Sequence, residues 1–192
     1  MKLQGAAKHA LSERRDDLYE TPECAVHALL NNIKIDKKDI WEPCAGRGAI
    51  SRVLKSKGFN VIASDLVPHE GRDNYIETGI DFLMESKAQA EIIITNPPYK
   101  LADKFIRHGL ALGCRVIVLQ RLMAIEGKNR SDIIDNHLRS IFAGIERLPM
   151  MHRDGWEGKK TNSSGAPFAW FDFRPYPLIT PITLHRISWR TS

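Results

Sequence analysis

The tetrapeptide Asn96-Pro97-Pro98-Tyr99 combines residue types that could activate a weak nitrogen nucleophile. An aromatic amine reacts poorly because its lone pair is delocalised into the ring. Two oxygen acceptors aimed at its hydrogens would favour a pyramidal nitrogen, and the Asn96 side chain and the Pro97 carbonyl could supply them. The prolines restrict φ and remove competing N–H donors, and Tyr99 offers a flat face on which a base could stack. The alternative is a plain turn after a strand, since Asn-Pro is a turn dipeptide.

A second stretch, Glu42-Pro43-Cys44-Ala45-Gly46-Arg47-Gly48, is expected to join a strand to a helix. Its glycines would let the backbone turn tightly and approach a ligand, and the helix start would offer free N–H groups. Asp65 follows Glu42 by 23 residues, ends the next predicted strand and precedes Leu66. A carboxylate at that place can accept hydrogen bonds from both ribose hydroxyls of a nucleoside cofactor.

The glycine pattern by itself leaves a structural turn or an NAD site open. The carboxylate of Glu42 bears on this choice, because it would repel a pyrophosphate and attract an ammonium group. The stretch therefore favours a cofactor with an amino-acid end, such as S-adenosylmethionine.

Strands and helices alternate along the chain, which predicts an open α/β sheet with helices on both faces. Strands are predicted at 39–43, 60–65, 91–95, 115–120, 141–148, 168–173 and 183–189, with a weaker signal at 75–77. Helices are predicted from Thr21 as N-cap to about Asn32, and at 49–57, 101–112 and 131–139. Ligands bind beyond the carboxyl ends of the strands in such sheets, and both candidate stretches directly follow a strand.

Composition sets wide bounds on function. The 192 residues suit one domain, and no segment has the length and apolarity of a membrane span or a signal peptide, so a cytoplasmic protein is expected. Lys and Arg outnumber Asp and Glu by 28 to 23, which is compatible with a polyanionic partner but not specific for one. Cys24, Cys44 and Cys114 are far apart, and the seven histidines lack ligand spacing, so reduced thiols and no metal site are expected.

On these motifs the chain resembles the class I adenine-specific DNA methyltransferases, in particular the small phage or prophage type. The resemblance also includes Asp17–Pro22 as an N-terminal cofactor motif and Gly79–Leu83 as the motif that holds the cofactor adenine. It implies a Rossmann-like, mostly parallel seven-stranded sheet and Asn96–Tyr99 as the catalytic motif. The residues that it assigns to the cofactor S-adenosylmethionine are Tyr19, Thr21, Pro22, Glu42, Cys44, Ala45, Gly46, Gly48, Asp65, Leu66, Asp81, Phe82 and Asn96.

The chain departs from this family's larger members in its length. Residues 1–17 are predicted to be a polar arm and residues 18–192 a single catalytic domain, which leaves little room for a separate target-recognition domain. Sequence specificity would then be loose, or would come from short loops, a second subunit or a homodimer.

The target is expected to be nucleic acid, with the reacting base flipped out of the duplex. The best candidate contact is the loop 151–165, which combines Arg153, Trp156, Lys159 and Lys160 with glycine and serine. A solvated loop with the tryptophan against the sheet is the alternative. Arg121, at the end of a predicted strand, is a further candidate.

Three other functions stay open at this level. The Asn96–Tyr99 motif also resembles that of RNA adenine methyltransferases and of enzymes that methylate a glutamine amide in proteins. The glutamine reaction predicts an N-terminal substrate domain, for which this chain has no room. The third alternative is a binding module that has lost catalysis, which predicts damage to one of the two motifs, and neither is damaged.

Overall fold

A computed structural model describes residues 19–149, 164–177 and 179–190. The predicted arm at 1–17 lies outside these residues, as do the candidate contacts Arg153, Trp156, Lys159 and Lys160.

The described residues form a single eight-stranded sheet with helices packed on it. The strands are β1 (Asp39–Glu42), β2 (Asn60–Asp65), β3 (Glu77–Thr78), β4 (Ile92–Thr95), β5 (Arg115–Arg121), β6 (Leu138–Gly144), β7 (Phe168–Phe173) and β8 (Thr183–Ile187). The α-helices are α1 (Glu23–Asn32), α2 (Ala49–Ser56), α3 (Ala102–Ala111) and α4 (Ser131–His137), and short 3-10 turns span Phe82–Met84, Leu122–Ile125 and Lys128–Arg130.

The strand order is β3-β2-β1-β4-β5-β7-β6-β8. Strand β7 runs antiparallel to β5 and β6, and every other described pair is parallel. The predicted α/β Rossmann-like architecture is confirmed. The sheet has eight strands instead of the seven that the resemblance implied, because the weakly signalled strand near residues 75–77 is present as β3 beside the seven other predicted strands.

The strand order reverses at β1, which has β2 on one side and β4 on the other. Chain segments that leave the carboxyl ends of β1 and β4 therefore run to opposite sides of the sheet and leave a crevice between them. The two stretches singled out in the sequence begin at these two strand ends.

The core lies on both faces of the sheet. On β4, Ile92 and Ile94 pack in the cluster that contains residues of α1 and α2, whereas Ile93 packs in the cluster that contains residues of α3. This burial on both faces is what three consecutive β-branched residues predict for a parallel strand. Trp41 on β1 and Trp170 on β7 are almost fully buried in this core.

Several predicted element boundaries were wrong: β6 ends at Gly144 instead of residue 148 and β8 at Ile187 instead of residue 189. The starts of α1 and β6 also differ. Helix α1 has Pro22 as its N-cap instead of Thr21, and no side chain caps it. Helix α4 ends at His137, and β6 begins at Leu138 instead of Ile141, because Leu138 already pairs with Phe173 of β7. The partly exposed Arg139 and a register shift between Leu138 and Ser140 interrupt the alternation from which a strand start is predicted.

A buried ion pair ties β5 to β7 at the end of the sheet opposite the crevice. Arg115 donates hydrogen bonds of 2.9 and 3.0 Å to the two carboxylate oxygens of Asp172 and another of 3.0 Å to the Lys34 carbonyl. The three cysteines are free thiols. Among the described residues, no helix is long and apolar enough to cross a membrane.

Candidate active site

The loop after β1 is held by direct hydrogen bonds to the end of β2. The Gly46 amide donates to Asp65 Oδ2 at 2.7 Å, and the Ala45 amide donates to the Ser64 carbonyl at 3.0 Å. Gly46 has φ 56° and Gly48 has φ 96°, so both adopt the left-handed backbone that favours glycine. Gly48 is also the N-cap of α2, which places the helix start at the crevice.

The glycines were predicted to let the backbone approach a ligand, but at Gly48 the close neighbour is another segment of the protein. A Cβ atom at this position would collide with the carboxylate of Asp73, in the segment between β2 and β3. Asp73 also accepts hydrogen bonds of 2.9 Å from Arg52 on α2 and from the Tyr75 hydroxyl. The segment around Asp73 is therefore fastened to the start of α2, and Gly48 makes room for it.

Asp65 joins two loops through its carboxylate. Besides the bond from Gly46, its Oδ1 accepts a hydrogen bond of 2.9 Å from the Val67 amide and lies 3.6 Å from Nε2 of His69. The side chain is nearly buried but lines the cavity described next. An oxygen with two lone pairs can accept a further hydrogen bond beside the one that it already receives.

A cavity of about 200 Å³ opens between these loops, which is far more room than a single water needs. Its walls come from the segment before α1, the loop after β1, the loop after β2, the 3-10 turn before β4, and the loop after β4. Its lining includes Tyr19, Glu20, Thr21, Glu42, Pro43, Cys44, Ala45, Gly46, Arg47, Asp65, Leu66, Val67, His69, Ile80, Asp81, Phe82, Leu83, Asn96, Pro98, Leu101 and Phe105.

Glu42 is a buried carboxyl in the wall of this cavity. The residue is 1% exposed, and its Oε2 has no hydrogen-bond partner among the described residues. Burial raises the pKa of Glu42 well above the ordinary range of a glutamate, although hydrogen bonds from Ser51 oppose the shift. A cationic group placed against Oε2 would relieve this desolvation, so the site fits a positively charged ligand.

Asn96 is oriented by the segment that precedes α1. Its Nδ2 donates hydrogen bonds of 3.1 Å to the Tyr19 carbonyl and 3.2 Å to Thr21 Oγ1. These contacts turn the side-chain oxygen away from that segment. Thr21 was predicted to cap α1 but does not. Its hydroxyl instead accepts a hydrogen bond from the side-chain amide of Asn96, 75 positions later in the chain.

The loops after β1 and β4 also contact each other. The Cys44 thiol donates to the backbone carbonyl of Asn96 at 3.7 Å. Desolvation raises the pKa of Cys44 well above its usual value, so the group stays a thiol and keeps its hydrogen.

Of the other three residues of the tetrapeptide, only Pro98 lines the cavity. Its carbonyl accepts a hydrogen bond of 2.8 Å from the Leu101 amide, while Pro97 is buried. The half-buried ring of Tyr99 packs with its centroid 5.5 Å from that of Tyr19. The guanidinium carbon of Arg121, at the end of β5, lies 4.9 Å from the centre of the Tyr99 ring.

Asp81 and Phe82 reach the far wall of the cavity. The Asp81 carboxylate accepts a hydrogen bond of 3.0 Å from the Leu83 amide, which caps the 3-10 turn. Phe82 is 2% exposed, and its ring packs against Trp41 and Phe105 in the core. Packing therefore takes most of the surface of Phe82 and leaves little of the ring to face the cavity.

The structure adds residues to the cavity that the sequence analysis did not single out. His69 lies four positions after Asp65 and has no sequence signal of its own. Arg47 donates from Nε to the Glu70 carbonyl at 2.8 Å, and its Nη1 lies 3.9 Å from Glu20. It thus bridges the segment before α1 and the loop after β2. Within the described residues, no cluster of His, Cys, Asp or Glu has the arrangement of a metal site.

No protein-family model and no curated protein matches the chain. Its fold is similar to solved structures of several methyltransferases. A candidate RNA methyltransferase from Pyrococcus horikoshii has a TM-score of 0.57 and 16% identity, over 90% of this chain and 93% of that one. A predicted O-methyltransferase from Agrobacterium tumefaciens has a TM-score of 0.54 and 14% identity, over 86% and 85%.

The M protein of the type I restriction enzyme EcoKI is similar in the same way. It has a TM-score of 0.54 and 18% identity, and the match covers 84% of this chain and 46% of that protein. The chain therefore spans about half the length of this modification protein. At these identities the similarity shows the methyltransferase fold and leaves the substrate open.

Proposed function

We propose that this protein is an S-adenosylmethionine-dependent methyltransferase that methylates the exocyclic amino group of adenine in DNA. One observation carries the proposal: the oriented amide of Asn96 and the buried carboxyl of Glu42 line the same cavity. This supports the proposal, because an acceptor suited to an amine and a carboxyl suited to a cation would then serve one cavity.

Each part of the cofactor is assigned to one wall of the cavity. Glu42 would face a positive charge at the amino-acid end of S-adenosylmethionine. That end would also lie next to the segment that contains Tyr19, Thr21 and Pro22. Asp65 would accept hydrogen bonds from the ribose hydroxyls, with Leu66 beside it. Asp81 and the small part of Phe82 that faces the cavity would contact the adenine. Cys44, Ala45 and Gly46 line the cavity in the loop after β1, and Gly48 would contribute by letting α2 begin directly after this loop.

Asn96 and Pro97 would prepare the amine of the target base. When bound, S-adenosylmethionine supplies a methyl group on a positively charged sulfur. The Asn96 side-chain oxygen and the Pro97 carbonyl each accept one hydrogen of the amine, which makes its lone pair available. Methylation would leave the amine nitrogen with one proton too many, and that proton would pass to water, because the amide oxygens of Asn96 and Pro97 are too weakly basic to keep it.

The DNA substrate rests on the resemblance of the motifs and on the basic net charge of +5. The similarity in fold to a modification protein of a type I restriction enzyme is in keeping with it. Sequence specificity would come from the loop 151–165, a second subunit or a homodimer. RNA adenine methylation is the second candidate, since the candidate RNA methyltransferase is matched over 93% of its length, which indicates that this fold occurs without a further domain.

The direct test is transfer of tritiated methyl from S-adenosylmethionine to unmethylated duplex DNA, single-stranded DNA and RNA in parallel, followed by nucleoside analysis. We expect N6-methyladenine in duplex DNA with the wild type, and at least a hundredfold loss with Asn96→Ala on the scale of a lost transition-state donor or acceptor. Asn136→Ala, an exposed amide on α4, is the matched control and should stay active. Methyladenosine in RNA alone would select the second candidate, and full activity of Asn96→Ala would remove Asn96 from the reaction.

A further inference from the structure

The contact between Arg121 and Tyr99 occupies a surface that a substrate would need. The Arg121 guanidinium carbon lies 4.9 Å from the centre of the Tyr99 ring, which is a cation–π contact. Tyr99 follows Asn96 by three residues in the loop after β4, and both side chains contact Tyr19.

The ring of Tyr99 is half-buried. It packs against the main core cluster, with its centroid 6.4 Å from that of the buried Phe168 and 5.5 Å from that of Tyr19. Arg121 is an exposed residue. Its guanidinium lies over the Tyr99 ring, so a base that stacks on that face has to displace it.

The backbone of Arg121 is fixed, so only its side chain can move. It is the last residue of β5 and is paired with Phe168 of β7. The next amide, of Leu122, donates a hydrogen bond of 2.9 Å to the Pro167 carbonyl. Rotation of an exposed arginine side chain around its own bonds is fast and changes none of these hydrogen bonds.

The guanidinium donors of Arg121 are unused by the described part of the protein. Within 19–149, 164–177 and 179–190, this guanidinium interacts with the Tyr99 ring alone. Arg130, on the same connection, shows the contrast: it donates 2.9 Å to the Ala124 carbonyl and 3.0 Å to Asp103. Arg130 thus holds the loop in shape, while Arg121 keeps five donors that suit a phosphate.

We propose that the Arg121 guanidinium occupies the stacking position of the target base on the Tyr99 ring when no substrate is bound. When the base enters, the Arg121 side chain turns outward and binds a backbone phosphate. This inference rests on the proposed function, since it assumes that Tyr99 stacks on the target. A guanidinium and a purine are both flat and delocalised and cannot lie on the same face of one ring together. Arg121 therefore opposes entry of a base and favours binding of its phosphate, so that a free base binds poorly and a nucleotide within a strand binds well.

Arg121 is expected to oppose stacking of a base and to attract its phosphate. A ligand without a phosphate reports the first effect alone. The probe is 2-aminopurine nucleoside, whose fluorescence is quenched on stacking, added to protein saturated with S-adenosylhomocysteine so that the cofactor cavity is filled. We expect Arg121→Ala to bind the nucleoside about two- to fivefold more tightly than the wild type, from the size of an exposed cation–π contact. Arg121→Lys should lie between them. Arg186→Ala, an exposed arginine on β8, is the control and should match the wild type.

The same variants should behave in the opposite way on a polymer. With a 2-aminopurine-containing strand, Arg121→Ala should bind more weakly, and its log Kd should depend less steeply on log salt by about one phosphate contact. Equal or weaker nucleoside binding by Arg121→Ala would overturn the proposal. Tyr99→Ala tests the proposed function separately: if it leaves nucleoside binding intact, the stacking role of Tyr99 fails, whatever Arg121 does.

A second measurement observes the contact without any nucleoside. The δ-methylene protons of Arg121 should be shifted upfield by the ring current of Tyr99, and Tyr99→Leu should abolish that shift. Addition of DNA to the wild type with S-adenosylhomocysteine should abolish it too. A shift that persists in the DNA-bound protein would contradict the exchange of Arg121 for a base.

Discussion

The amide nitrogen of Gly46 donates a 2.7 Å hydrogen bond to the carboxylate of Asp65, which joins the loop after β1 directly to the end of β2. A residue expected only to bind a ligand is thus also a structural link between two walls of the cavity. Its replacement should affect the cofactor and the fold together.

Asp65→Ala should weaken binding of S-adenosylmethionine by about ten- to hundredfold, the size of losing a hydrogen bond to a charged group. It should also lower the unfolding midpoint, because the amides of Gly46 and Val67 lose their acceptor. Calorimetric titration and denaturant unfolding measure the two effects. Asp135→Ala, on the exposed side of α4, is the control. Cofactor affinity equal to the wild type would exclude Asp65 from the binding site.

Gly48→Ala should destabilise the fold by about 1–3 kcal/mol, the range of a strained backbone conformation, with a further loss from the collision with Asp73. Gly58 is the matched control, since it also has positive φ (82°) but a Cβ added to it would meet no atom within 4 Å. Urea unfolding should therefore show a larger effect for Gly48→Ala than for Gly58→Ala. Adding Asp73→Ala to Gly48→Ala should recover part of the difference, and equal effects of the two glycine variants would dismiss the collision.

Glu42 should make the stability of the ligand-free protein depend on pH. Burial raises its pKa in the folded state, so the folded protein holds this proton more tightly than the unfolded chain. Its contribution to stability is complete below the ordinary glutamate pKa of about 4.3 and is lost as the pH rises through the folded-state pKa. Glu42→Gln should remove this decline in thermal unfolding measurements, while Glu85→Gln, outside the cavity lining, should leave it in place.

Glu42→Gln should also weaken cofactor binding most at high pH, where the wild-type carboxylate is ionised. Because a cationic ligand favours the ionised form, binding to the wild type should release a proton. Calorimetry in buffers with different ionisation enthalpies detects that proton. Binding without proton release, with unchanged affinity in Glu42→Gln, would contradict the role assigned to this residue.

Asp172→Ala should cost about 3–5 kcal/mol of unfolding free energy, because it leaves the buried guanidinium of Arg115 without its counter-ion. Asp132→Ala breaks the exposed pair with Arg107 and should have a much smaller effect, since water screens that pair. Chemical denaturation of both variants makes the comparison. A similar loss of unfolding free energy in both variants would show that burial does not determine how much each ion pair contributes to stability.

Replacing Lys159 and Lys160 with Glu should weaken DNA binding and reduce the slope of log Kd against log salt, by about one unit for each phosphate that the loop no longer neutralises. Lys37→Glu together with Lys57→Glu is the control, because it changes the net charge by the same amount. These two lysines precede β1 and β2, at the end of the sheet opposite the cavity. Titrations at several salt concentrations distinguish the two pairs. An identical slope in both double variants would remove the loop 151–165 from the interface.

Much of the fold could be predicted because its signals are local. The β-branched run at Ile92–Ile94, the glycines around Arg47 and the aspartate that ends β2 each act within a few residues of the chain, by restricting the backbone or by requiring burial. These signals sufficed to predict where the strands and helices lie along the chain, and that two loops lie at the carboxyl ends of the strands. They failed at the start of β6, where pairing with β7 outweighs the local pattern.

Only the tertiary structure decided which residues meet in the cavity. Thr21 contacts Asn96, Asp73 fills the space beside Gly48, and Arg121 covers Tyr99, although each pair is separated by 22 to 75 residues in the chain. No periodicity or turn preference encodes such a contact, because it depends on strand order and on the paths of the loops between strands. The sequence by itself determined the chemical groups and the sheet edge at which they lie, and the packing of distant segments determined how those groups are oriented, shielded from water and covered.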